Sequence, residues 1–438
     1  MQDVAALPFV VELTRDLIRL DTTNPPGEEH VAVELIERVL GEAGIECARY
    51  ESAPGRPNLV ARVKGRGEAP PLLLQGHVDV VTTVNQDWRQ RPFGGDIVDG
   101  YLWGRGALDM KSGVAMMVAA LVRAQKRGGA PGDLVLAALA DEEAGGVFGA
   151  RWLVEAHPEL FDGIRHAIGE SGGVALHLGG RRFYPIMVSE KRGCQMQVTL
   201  RGPGGHGSIP ARGGAMAKLG ELLAKLDASR LPVHITTPVR VQLEAMRDAL
   251  TEPLKGRIGA LLDPVRTDAA LIDLGPLSRG LDASLHNTVN ATMVSGGLKV
   301  NVIPSEVHVQ LDGRLLPGFG PEEMVKELRA VIGPEPEVEV TLVGPAQPEI
   351  DLSQFDLFAS VLKEADPGCV PVPSLVTGGT DARHFARLGI RTYGFLPLNV
   401  PPDFNSSPTI HAADERVPVS ALEFGAECVF EAVMRYGG

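Results

Sequence analysis

Two stretches decide the fold: PLLLQGHVDVV at 71–81 and DLVLAALADEEAGG at 133–146. Each opens on a short apolar run, 71–75 and 133–140, and turns polar at once. Runs of that length and composition predict strands buried on both faces, as in an α/β sheet. KSGVAMMVAALVRAQKRGG (111–129) lies between them and predicts a helix stopped by a glycine pair. Residues 9–20 and 30–44 have helical apolar spacing, broken by DTTNPPGEE.

The pattern changes near residue 190. QMQVTLRG (195–202) alternates apolar and polar, as a strand with one wet face does. A helical stretch at 213–227 follows, then further alternating segments. LKVNVIPSEVHVQLDGRLL (298–316) reads as a pair of strands about an Ile-Pro turn, PEEMVKELRAVIG (321–333) as a helix and VEVTLVG (338–344) as a strand. That order predicts a smaller α+β domain. Helical patterns resume at 354–365 and 382–388, with an apolar strand at 391–397. The expected organisation is one α/β domain, residues 1–189 and 346–438, interrupted by an inserted domain at 190–345.

Composition narrows the function. The chain has 438 residues and a formal net charge of −13, with a pI of about 5.4. An acidic chain without a basic patch is not expected to bind nucleic acid. The longest apolar run, 113–122, is too short to span a bilayer, so no membrane partner is expected. Four cysteines, none in a Cys-x-x-Cys pair, and no basic leader in MQDVAALPFVVELTRDL suggest a cytoplasmic protein.

Polar clusters stand where the apolar strands end, which is where open α/β sheets bind ligands. GHVDV places His77 and Asp79 two residues apart, so that Asp79 can bond one imidazole nitrogen while the other meets a metal. Asp109 lies in a Gly-rich turn before a helix, a place where Asp usually acts as a cap. Asp141, Glu142 and Glu143 are three adjacent acids that repel one another unless a cation or solvent compensates. Because neighbouring side chains diverge, one can bind metal while the next acts as a general base. Glu170 follows in AIGESGG and His411 in SSPTIHAADE. A donor set of histidines and carboxylates suits Zn²⁺, Co²⁺ or Mn²⁺, and it exceeds what one zinc needs.

Nine segments in order resemble the di-zinc deacylases and exopeptidases that include acetylornithine deacetylase, succinyl-diaminopimelate desuccinylase, aminoacylase and carboxypeptidase G. They are TTNPPGEE (22–29), GHVDVV (76–81), PFGGDIVDGYLWGRGALDMKSG (92–113), ADEEAGG (140–146), GESGG (169–173), GGHGS (204–208), NVIP (301–304) with DGR (312–314), GGTDAR (378–383) and IHAADE (410–415). The resemblance implies a zinc-exopeptidase-like α/β domain with a mixed central sheet, and an inserted ferredoxin-like lid and dimerisation domain. It implies two Zn²⁺ (Co²⁺ or Mn²⁺ serving instead), with His77 and Glu170 on one, Glu143 and His411 on the other, and Asp109 between them. It makes Asp79 the residue that orients His77, Glu142 the general base for a water between the metals, and the bond after Asp109 cis. His206, Asn301, Arg314, Gly379 and Thr380 match substrate-contacting positions, His206 often serving the partner subunit of a dimer. The implied activity is hydrolysis of an amide or peptide bond next to a free carboxylate, in an N-acyl amino acid or short peptide, by a homodimer. An inactive binding protein on the same scaffold is the alternative; the presence of all five ligands and Glu142 argues against it. Two departures from the pattern stand out. One is an extra stretch at about 239–272; the other is Ala, where many members have Gly, after His411.

Overall fold

The computed structural model describes residues 8–346, 348–406 and 408–437; of the N-terminal stretch read for a leader, residues 1–7 lie outside them and Phe9–Ile18 is a helix. The chain divides into two compact units. One holds residues up to 188, 350–374 and 380 onward; the other holds 189–349 and 375–379.

The first unit is a mixed nine-stranded sheet with helices packed on it. At its centre Leu72–His77 runs parallel to both Leu134–Leu139 and His166–Gly169, and Arg391–Gly394 extends the parallel set. Cys47–Glu51 and Pro57–Val63 add antiparallel strands on one side, Arg181–Glu190 on the other. Leu72–His77 and Leu134–Leu139 are buried at every residue, as their unbroken apolar runs require. Their register sets His77 opposite Leu139, so the acids at 141–143 emerge just beyond His77. His166–Gly169 points the same way and delivers Glu170 to that edge. The central helix, Lys111–Lys126, is buried at every residue from Lys111 to Val122, so it carries apolar residues all round. A C-terminal helix, Val419–Arg435, packs on it; the sequence reading did not name this helix. Gly425 permits the approach: a Cβ there would stand 2.7 Å from the Met116 sulfur and 2.3 Å from the Pro397 carbonyl oxygen.

The second unit has a four-stranded antiparallel sheet ordered Thr288–Gly296, Glu306–Leu315, Arg192–Arg201, Glu337–Val343. Helices Ala215–Ala228 and Pro321–Ile332 complete a strand–helix–strand–strand–helix–strand chain order. Val307, Val309, Leu311 and Leu315 alternate into its core along one strand.

Two expectations fail in this unit. The segments expected to alternate after 227 are largely helical: Thr237–Ala249, Leu254–Ala260, Thr267–Leu274 and Arg279–Leu285. The first three carry the extra stretch, and Pro253 and Pro264, lying between them, interrupt the 3.6-residue period. The segment 298–303 is also not the hairpin partner of Glu306–Leu315; Thr288–Gly296 takes that place. Only Val302–Ile303 is extended, and it pairs with Gly205–His206. Among the described residues no helix is long and apolar enough to cross a membrane.

Candidate metal centre

His77 ends its strand with the side chain 1% exposed. Its Nδ1 lies 3.0 Å from the Asp79 backbone carbonyl and 3.4 Å from the Asp79 carboxylate, so both oxygens steer the ring. Nε2 is left facing Asp109 Oδ1 at 3.1 Å, with Glu170 Oε2 at 3.8 Å. On the other side of the same carboxylate, Asp109 Oδ2 lies 3.1 Å from His411 Nε2, and Glu143 Oε2 meets that nitrogen at 3.1 Å. The described residues therefore present two ligand groups, His77–Asp109–Glu170 and Asp109–Glu143–His411, that share one residue.

Asp109 is not the helix cap its position suggested. Met110 precedes the helix and makes no side-chain cap. The peptide bond after Asp109 is cis. Glu143 Oε1 is buried and has no hydrogen-bond partner among the described residues, a costly state for a carboxylate unless a cation meets it. The donor set and this orphaned oxygen fit a divalent metal at each group.

The electrostatics point the same way. Burial alone would lower the His77 imidazole, but the Asp109, Asp79 and Glu170 carboxylates outweigh it and hold it well above its usual value. Bonds to Asp109 and Glu143 push His411 up to about 10. Burial, then the charge of Glu170, pushes Glu142 up to about 10. Since metals bind neutral imidazole, loading the metal-free protein near pH 7 must expel these protons. Calorimetric titration with Zn²⁺ in buffers of different ionisation enthalpy should show release of more than one proton per chain. Affinity should rise with pH, because less proton must then be displaced.

The three adjacent acids separate. Glu143 faces His411. Glu142 approaches Arg383, Oε1 to Nη2 at 3.7 Å. Asp141 turns away, accepting from Arg56 Nη2 at 2.9 Å and Asn24 Nδ2 at 3.0 Å. Asp79, fully buried, accepts the Glu142 and Glu143 backbone N–H groups at 3.1 and 3.2 Å.

Several residues that the sequence reading did not single out also belong here. Asp381 is buried with neither carboxylate oxygen hydrogen-bonded among the described residues, and burial pushes it up to about 8. Glu415, fully buried, accepts from Arg105 Nη1 at 2.6 Å and from the backbone N–H groups of Gly106, Leu108 and Asp109 at 3.2, 2.7 and 3.1 Å. It thereby holds the turn that presents Asp109. Glu415→Ala should destabilise the protein by about 3–5 kcal/mol, because it strands the Arg105 charge in the interior. Urea unfolding followed by circular dichroism checks this.

His206, Asn301, Arg314 and Gly379 lie in the second unit, Thr380 in the first. His206 Nδ1 bonds Ser208 Oγ at 2.7 Å, and the Gly207 N–H donates to the Asn301 carbonyl, so His206 and Asn301 are neighbours there. Arg314 is ion-paired with Asp312 at 3.0 Å, so any anion it holds must compete with that carboxylate. Thr380 is buried, and its hydroxyl accepts the Ala382 N–H.

Known proteins share this chain's pattern. A succinyl-diaminopimelate desuccinylase of Cereibacter sphaeroides is 30% identical over 428 residues, 94% of this chain and 95% of its own length. A probable carboxypeptidase S-like 2 of Dictyostelium discoideum is 26% identical, over 83% of this chain and 71% of its own. Among solved structures, the M20 family metallo-carboxypeptidase Sso-CP2 of Sulfolobus solfataricus matches with a TM-score of 0.71, covering 98% of this chain and all of that one at 16% identity. The model of peptidase family M20/M25/M40 matches residues 73–435. The chain is a metallohydrolase that belongs to the M20/M25/M40 peptidase family.

Proposed function

We propose that this chain hydrolyses the amide bond of an N-acyl amino acid or short peptide next to a free carboxylate, using two Zn²⁺ ions, with Co²⁺ or Mn²⁺ able to replace them. The observation that carries the reading is Asp109, whose two oxygens face different His–carboxylate groups. His77 and Glu170 would hold one cation, Glu143 and His411 the other, with Asp109 common to both. Bound there, the cations would polarise the scissile carbonyl and acidify a water.

Glu142 belongs to neither group and takes the proton from the attacking water, then gives it to the leaving amine nitrogen. Asp79 holds Glu142 in place through its backbone N–H and steers His77. His206 donates to the developing oxyanion. Asn301 and Arg314 receive the substrate carboxylate, a good partner for a guanidinium fork, and Gly379 and Thr380 belong to a loop that contacts the substrate. Residues 1–189 and 346–438 form the catalytic domain and 190–345 the lid and dimerisation domain. The homodimer forms through the sheet-edge strand Thr288–Gly296, which leaves Met293 and Val294 68% and 51% exposed. The cytoplasm is its location.

The test is a hydrolysis screen over N-acyl amino acids, N-succinyl compounds included, and dipeptides. Activity should vanish with a chelator and return with Zn²⁺, Co²⁺ or Mn²⁺. If metal-loaded protein bound substrates without turnover, the inactive-scaffold reading would replace this one.

A further inference from the structure

We infer that Asn24 is a positioning residue that sets Glu142 and Glu143 relative to the cation sites, acting through Asp79 and Asp141. The inference rests on the two-cation reading proposed above. Asn24 lies in the TTNPP turn and is 7% exposed. Its amide nitrogen has two hydrogens, and they go to two different carboxylates: Asp79 Oδ2 at 2.8 Å and Asp141 Oδ1 at 3.0 Å.

Both acceptors control the same loop. Asp79 takes the backbone N–H groups of Glu142 and Glu143. Asp141 starts the loop in the left-handed region, φ +69°. Its carbonyl accepts the Ala144 and Gly146 N–H groups, and its Oδ2 accepts the Phe148 N–H. Asp141 is thus the clasp of 141–148, and Asn24 ties the clasp to Asp79. Arg56 donates to the same Asp141 Oδ1 and is itself gripped by Glu29 at 2.6 and 2.7 Å.

Asn24 is placed firmly enough to do this. Its backbone N–H donates to the Val80 carbonyl, the Val80 N–H to the Thr22 carbonyl, and Thr22 Oγ1 to the Val78 carbonyl at 2.6 Å. The turn is stitched to the strand end that carries His77. The position demands two donors without an added charge. Ser offers one, Asp offers none and adds a third carboxylate, and Ala removes the donor that Asp79 and Asp141 share, leaving Asp141 Oδ1 with Arg56.

The test uses the full chain, stripped of metal and titrated with Co²⁺ by visible absorbance, together with kcat, KM and melting temperature. Asn24→Ala should weaken the cation shared by Asp109, Glu143 and His411 about 10–100-fold, the usual cost of losing a group that orients ligands. It should lower kcat about 100-fold with KM within about twofold, because misplacement by about 1 Å costs that much. Asn24→Asp, of equal size, should show the same two losses and serves if the alanine variant does not fold. Two cations bound at wild-type affinity with wild-type kcat would overturn the inference. So would a fall in melting temperature alone, the result of a merely structural role. If the wild type turned over no amide, the hydrolase reading would fall, and the Co²⁺ titration would still decide Asn24.

Discussion

Glu142→Gln should lower kcat by about 10²–10⁴-fold, the usual worth of a placed general base, while two cations per chain stay bound. Glutamine keeps the shape and the backbone N–H that Asp79 holds, and loses only the ability to take a proton. Glu142 contributes to neither ligand group, so metal content should not change. Burial raises this carboxyl, and the unneutralised Glu170 raises it further. Charge compensation at Glu170 removes that second cause and moves Glu142 down towards a range where it can accept a proton near neutral pH. Steady-state kinetics beside elemental analysis decides the matter. Near-normal turnover in Glu142→Gln would move the base elsewhere, with Asp381 the next carboxyl to try.

The candidate site residues differ in how plainly the sequence announces them. His77, Glu142 and Glu143 follow apolar runs that become adjacent parallel strands, and Glu170 follows a third. A local pattern places them because strand direction alone brings their ends together. His411 has no such strand before it. It sits at φ +62° in a loop, and its place depends on Glu415 gripping Arg105 and on Arg416 pairing with Trp103. Motif order can point to such a residue; periodicity cannot. Asn24, Arg56, Glu415 and Asp381 carry even less local signal, since the bonds of Asn24 reach 55 and 117 residues along the chain and those of Glu415 more than 300. The same reason hid the divergence of Asp141 from Glu143: its partners come from the TTNPP turn and from Arg56. In the second unit, Glu306–Leu315 was legible because its alternation is strict. Of the helices at 237–285, Leu254–Ala260, Thr267–Leu274 and Arg279–Leu285 were not, because seven or eight residues build no clear helical period.

Asp109→Ala should have the largest effect on metal. It should bring cation content from two per chain to below one and leave no measurable turnover. The residue is the only one common to both groups. Without it, one group keeps His77 and Glu170 and the other keeps His411 and Glu143, two ligands each where a tightly held zinc takes three or four. His411 loses the largest cause of its raised pKa, so its ring no longer competes as strongly for a proton; that relief is small beside the lost ligand. The turn itself should survive, because Glu415 grips backbone N–H groups and the Arg105 side chain, not the Asp109 carboxylate. Glu170→Ala is the control. It removes one ligand from the His77 group and leaves Asp109, Glu143 and His411 together, so it should retain about one cation. Metal content measured after gel filtration separates the two variants. Two cations retained by Asp109→Ala would mean that the carboxylate is not shared, and the two groups would then have to be treated as separate sites.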